Sequence, residues 1–173
     1  MTIDTDRVVR FFSGGRDPEE RSLDEILEWN DEHLETVHDY IQWVFPTRQP
    51  SGVIAGAPLV TDATVRAFAT DDRLSGRLRR AFERMLQFYG LRWINDAVEI
   101  DAARFPGRAR VWLTPGNHNH LRLTRIMDSL STLGLAHEAR ALQRCLLEDV
   151  GNGPGKGRVT PRTIEFWSRA VSA

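Results

Sequence analysis

Apolar residues recur at helical spacing along most of this chain. Leu34, Val37, Ile41, Val44 and Phe45 share one helix face, and Pro46 ends that helix because the residue before a proline is pushed out of the α region. Leu74, Leu78, Phe82, Met85 and Tyr89 form a second apolar line, with Gly90 placed as the C′ residue. Leu123, Ile126, Met127, Leu130 and Leu133 form a third over 118–133, closed by Gly134. Ala139, Leu142, Cys145, Leu146 and Val150 form a fourth over 136–149. Start signals add to these lines. Ser22-Leu23-Asp24-Glu25 has capping-box spacing and predicts a short helix to about Trp29. Asn30 and Asp31 cap the helix that runs to Phe45, Thr61-Asp62 caps one through Ala69, and Asp71-Asp72 caps the next. Thr160-Pro161 opens a last helix that runs to about Val171.

Between these helices the pattern breaks down. Residues 46–60 carry three prolines and two glycines and read as loop. Residues 91–116 allow at most short extended pieces at Trp93-Ile94 and Val98-Glu99-Ile100, with turns at Pro106-Gly107 and Pro115-Gly116. Residues 151–157 are a glycine-rich break without phosphate-loop spacing or a preceding strand. The first 21 residues read as a mostly irregular lead-in, with Val8-Val9 and Phe11-Phe12 available for packing. The pattern therefore predicts an all-α fold. It is a single compact domain of about six to seven helices with long connecting loops, spanning 22–173 after the lead-in 1–21. The helices at 31–45 and 118–133 are expected at its centre, with Trp43, Phe45, Phe82, Phe88 and Leu130 buried.

Composition narrows the classes. A hydrophobic fraction of 41% and a charged fraction of 27% over 173 residues are those of an ordinary globular protein. A net charge of -1 argues against binding nucleic acid by bulk charge, though not against a local basic patch. Lys156 is the only lysine, as Arg-rich codon usage in a GC-rich, bacterial genome would give. Cys145 is the only cysteine, which excludes an intrachain disulfide and a multi-cysteine metal site and points to a reducing compartment. Met1–Arg10 lacks the apolar run of a signal peptide, and no apolar stretch is long enough to span a bilayer. The expectation is a cytoplasmic protein.

Several polar groups are candidates for chemistry. His38 and Gln42 lie four apart, on a face bordering the apolar stripe. They are either structural groups bonded to backbone or part of a ligand site. At about 100° per residue, His118, Arg122, Arg125 and Ser129 form a polar stripe, and Asn117 or Asn119 can cap the helix start. A helix start bearing histidines and arginines suits an anion, but the arginines can equally pair with acidic side chains. His118 and His120 diverge by roughly 200° on a helix and no carboxylate completes a metal spacing, so no metal is expected. Arg73, Arg77, Arg80 and Arg84 form a basic stripe that is either a solvated face or a polyanion contact. No nucleophile signature is present, and Cys145 falls among apolar helix positions, where an inert thiol is expected.

The ordered landmarks carry a family resemblance. His38, Tyr40, Ile41, Gln42, Trp43, Val44, Phe45 and Pro46 form the first. Ala57-Pro58-Leu59 follows, then Met85, Leu86, Phe88, Tyr89 and Gly90, then His118 through Ile126, continued by Ser129-Leu130 and Leu133-Gly134-Leu135. Together they resemble the conserved N-terminal region of the opioid growth factor receptor family, from about Trp29 to Val171. The resemblance implies a region with no known enzymatic activity and no established cofactor. Animal members are described as receptors for an enkephalin-type opioid peptide, associated with the nucleus and growth inhibition. In a bacterial chain an opioid peptide is not the expected natural ligand.

Three functions are weighed on these residues. The first is a non-enzymatic ligand- or peptide-binding domain without a cofactor. In it His38, Gln42, His118, Asn119, Arg122 and Arg125 converge on one recess suited to an acidic or carboxylate-bearing ligand. The second is an enzyme with His38 or His118 as general base and Arg122 with Arg125 clamping an anionic substrate. The third is a nucleic-acid or polyanion contact through Arg73, Arg77, Arg80 and Arg84.

Overall fold

The computed structural model describes residues 6–171. By internal contacts the chain divides between Ala81 and Phe82 into two compact units. The first holds α1 (Arg7–Phe12), α2 (Leu23–Leu27), α3 (Asp31–Thr36), α4 (Ile41–Val44), α5 (Asp62–Thr70) and the start of α6 (Asp72–Tyr89). The second holds the end of α6, β1 (Leu91–Ile94), β2 (Ala97–Ile100), α7 (Phe105–Trp112), α8 (His118–Thr132), α9 (Ala136–Arg144) and α10 (Pro161–Arg169). A π-helical stretch, Cys145–Val150, continues α9.

The expected all-α fold is overturned. β1 and β2 pair antiparallel in the register Leu91 to Ile100, Arg92 to Glu99, Trp93 to Val98 and Ile94 to Ala97. The fold is a helix-rich mixture of α and β, with ten α-helices among the described residues rather than six or seven. The hairpin closes through Asn95 and Asp96, both at positive φ, 49° and 58°. Two consecutive left-handed residues match the twist of the flanking strands, and Asn and Asp are the non-glycine residues that tolerate that region best.

In the first unit, capping decides where helices begin. Ser22 and Glu25 form the predicted capping box at α2, and Asn30 accepts from the His33 N–H at α3. Thr61 and Thr64 cap α5 reciprocally, and the Asp6 carboxylate accepts from Val8 and Val9 N–H at α1 and from the Thr64 hydroxyl. Helix α1 thus lies where mostly irregular chain was expected, and Val8, Phe11 and Phe12 are buried. The helix predicted over 31–45 is two short ones. Val37 is extended (φ -89°, ψ 131°), and the Tyr40 hydroxyl donates to the Leu34 carbonyl at 3.0 Å. A bend there lets Tyr40 turn fully inward, which an unbroken helix with the stripe Leu34/Val37/Ile41 would not do. Phe11 meets Phe12 and Trp43 edge to face, and Phe12 meets Phe68.

In the second unit, α8 packs against α9, α10 and α7, and β2 against α9 and the π-helical stretch. Gly90 ends α6 at φ 76°, and a Cβ there would lie 2.6 Å from the Phe105 Cα, so only glycine permits the approach of α7. Helix α7 falls where the sequence suggested a turn; Pro106 occupies its first turn, where its missing N–H costs nothing. The Trp112 indole N–H donates to the Tyr89 carbonyl at 3.0 Å, and that of Trp167 to the His120 carbonyl at 3.1 Å. Trp43, Phe45, Phe82, Phe88 and Leu130 are all buried, as expected. No described helix is long and apolar enough to cross a membrane.

Candidate functional site

The start of α8 and the start of α10 frame a recess of about 290 Å³ in the second unit. Asn117 caps α8: its side-chain oxygen accepts from the Asn119 N–H at 3.0 Å, while its amide nitrogen donates to the Val111 carbonyl and the Thr114 hydroxyl. Thr160 caps α10, accepting from the Thr163 N–H at 3.2 Å. His118, Leu121 and Thr124 line the recess from α8, and Arg162, Thr163 and Phe166 line it from α10.

His120 forms part of its wall. The ring is buried, edge-on to both Trp112 and Trp167. Its Nε2 lies 3.0 Å from the Trp112 carbonyl, which can only accept, so Nε2 carries the hydrogen. Nδ1 is then the acceptor facing the Thr163 hydroxyl at 3.5 Å, and Thr163 in turn accepts from the Thr160 hydroxyl at 3.1 Å. A hydroxyl chain thus joins the neutral imidazole to the cap of α10. Burial pushes the His120 pKa below its ordinary value; the Trp112 carbonyl opposes the shift and His118 adds to it.

The lining is amphipathic. Leu121 is 62% exposed and Phe166 39% exposed, two of the few large apolar side chains open to solvent. The Arg162 guanidinium lies over the Phe166 ring, 5.4 Å from its centroid. Among the described residues Arg162 has no ion-pair partner, and no Asp or Glu lines the recess. The unmatched charge is therefore positive.

Of the residues singled out in the sequence, His118 lines this recess. Asn119 and Arg122 turn inward and are buried; the Asn119 side-chain oxygen accepts from the Tyr89 hydroxyl at 3.4 Å and from Arg122 at 3.5 Å. Arg125 is half-buried; desolvation pulls its pKa down, opposed by Asp128, whose own carboxyl burial pushes up. Gln42 is buried in the first unit with its side-chain oxygen unsatisfied, and His38 there is exposed. The basic stripe is largely paired: Arg73 with Asp71 at 3.0 Å, and Arg77 and Arg80 with Asp24 at 3.0 and 3.3 Å. Arg84 also has partners and is half-buried. Burial pushes the Cys145 thiol up to about 12, so a reactive thiolate does not form at neutral pH. Among the described residues no cluster of three or more His, Cys, Asp or Glu side chains is placed to hold a metal ion.

A larger cleft of about 490 Å³ lies in the first unit beside Arg7, Arg10, Arg16, Asp17, Glu20 and Trp43. Arg16 pairs with Glu25, Asp17 with Arg21, and Arg7 donates to the Gly56 carbonyl while stacking over Trp43.

Residues 8–173 match the family described as the opioid growth factor receptor (OGFr) conserved region. The chain belongs to the opioid growth factor receptor family. It is 41% identical over 132 residues to the opioid growth factor receptor of Mus musculus, covering 73% of this chain and 20% of that protein. Identity to the Homo sapiens receptor is 40% over 136 residues, 73% of this chain and 19% of that one. The opioid growth factor receptor-like protein 1 of Mus musculus is 30% identical over 130 residues, 73% of this chain and 28% of that one. The match thus spans about a fifth of the receptors and just over a quarter of the receptor-like protein. No solved structure matches. The family landmark His118–Ile126 holds both the inward-facing Asn119 and Arg122 and the recess residues His118, Leu121 and Thr124. Arg162 and Phe166 were missed as site residues because they lie some forty residues further along, although their spacing of four already put them on one helix face.

Proposed function

We propose that this chain is a non-catalytic ligand- or peptide-binding module of the opioid growth factor receptor family, with its site in the recess between α8 and α10. The observation that carries the reading is an amphipathic hollow in which, among the described residues, no Asp or Glu lines the wall and Arg162, without an ion-pair partner, sits over an exposed Phe166 beside an exposed Leu121. Arginine stacked on an aromatic ring keeps its fork of donors available to an anion while the ring and Leu121 supply apolar contact. The relatives' names describe a receptor for a growth factor of opioid type, which favours a peptide ligand.

The test is a titration of the full chain with short peptides, an enkephalin-type opioid peptide among them, followed by amide chemical shifts. Residues 117–124 and 160–166 should move. Arg162→Glu should weaken binding at least about tenfold, ~1.4 kcal/mol, with the far-ultraviolet spectrum unchanged. Equal binding by a folded Arg162→Glu variant would remove the recess as the site.

A further inference from the structure

Resting on that reading, we infer the chemical class of the ligand: a chain end whose free carboxylate is carried next to an apolar side chain. Three observations converge on it. First, among the described residues Arg162 is the one Arg or Lys lining the recess, and no Asp or Glu there competes for it. One guanidinium matches a monoanion bidentately, whereas a phosphate carrying nearly two charges is ordinarily held by several cations. Second, the apolar surface adjoins the cation directly. The Arg162 guanidinium is 5.4 Å from the Phe166 centroid, and Leu121 faces the same hollow. An internal Asp or Glu brings its charge on its own stem, with polar backbone continuing on both sides. A chain end carries its carboxylate and an apolar side chain on the same carbon, so one residue can meet both Arg162 and the apolar pair Phe166 and Leu121. Third, the volume is small. About 290 Å³ lies at the lower limit for small-molecule sites, room for a terminal residue or two and not for a long segment.

A free fatty acid shares this pairing of carboxylate and apolar tail, so the experiment separates the two sources. The full chain, uniformly labelled with nitrogen-15, is titrated with an acetylated tripeptide ending in leucine, as the free acid and as the amide. The same tripeptide ending in glycine, octanoate and inorganic phosphate are titrated in parallel. The leucine free acid is expected to shift residues 117–124 and 160–166 and to bind at least tenfold more tightly than its amide and than the glycine peptide. Arg162→Gln should reduce the preference for acid over amide to less than twofold, its fold checked by the unchanged remainder of the spectrum. If acid and amide bind these residues equally, the carboxylate inference is wrong while the recess remains a binding site. Octanoate binding more tightly than the peptide would overturn the peptide end as the source, and phosphate binding more tightly would overturn the carboxylate. If none of the probes moves residues 117–124 or 160–166, the recess reading itself falls.

Discussion

At His120 a single proton decides between two arrangements. The neutral ring donates to the Trp112 carbonyl and accepts from Thr163. Protonation turns Nδ1 into a donor, so the Thr163 hydroxyl must rotate to accept, and a charge is placed between two indoles. The folded pKa lies below the ordinary histidine value through burial, so the unfolded chain binds the proton more readily. The contribution of His120 to stability is therefore complete above the unfolded pKa of about 6.5. It declines as pH falls from there toward the lower folded value. Urea melts from pH 7.5 to 5 should show this decline, and His120→Gln should flatten it; an unchanged slope in that variant would assign the effect to other groups. Gly90 poses a steric question of the same scale. Gly90→Ala combines positive φ with a Cβ 2.6 Å from the Phe105 Cα, and should cost at least about 2 kcal/mol in a denaturant melt.

Among elements, the legible ones carried their own punctuation. Helices α6 and α8 start at the caps Asp71 and Asn117 and end at Gly90 and Gly134, and their apolar faces repeat at the right spacing, while α5 and α10 start at the caps Thr61 and Thr160. The elements missed are those fixed by tertiary contact or by ambiguous signals. The break between α3 and α4 depends on burying Tyr40, which no local pattern announces. Pro106-Gly107 is turn chemistry by composition, but a proline in the first turn is equally a helix start. The hairpin was legible only as short extended pieces at Trp93-Ile94 and Val98-Glu99-Ile100, because strands of four residues each are too short for a period to stand out, although Asn95-Asp96 carried the turn signal. That turn yields a test: Asp96→Gly removes a side chain from φ 58° and should stabilise by roughly 0.5 kcal/mol. A destabilised variant would mean that the Asp96 side chain contributes more than its backbone strain costs. The candidate site was half legible for a similar reason. His118 announces itself at a helix start, while its neighbours Arg162 and Phe166 reach it only once α10 docks on α8.

For the whole molecule, charge decides among partners. The net charge is -1, and Arg73, Arg77 and Arg80 are already paired with Asp71 and Asp24. Few phosphates could be neutralised without first breaking these pairs. Titration with single- and double-stranded oligonucleotides at low salt should give no binding tighter than the micromolar range of non-specific contacts; tighter, salt-sensitive binding would reinstate the basic stripe as a functional face. The His120 cluster has one further consequence, in light rather than free energy. An imidazolium ring quenches indole emission far better than a neutral imidazole does. Trp112 and Trp167 flank His120 edge-on, with ring centroids 6.2 and 5.5 Å away. Tryptophan fluorescence should therefore dim as the solution is acidified through the His120 titration. In a chain whose Trp29 and Trp93, the indoles beside His33 and His137, are replaced by Phe, His120→Gln should abolish that dimming, so the remaining indoles give an optical record of the protonation state beside the recess.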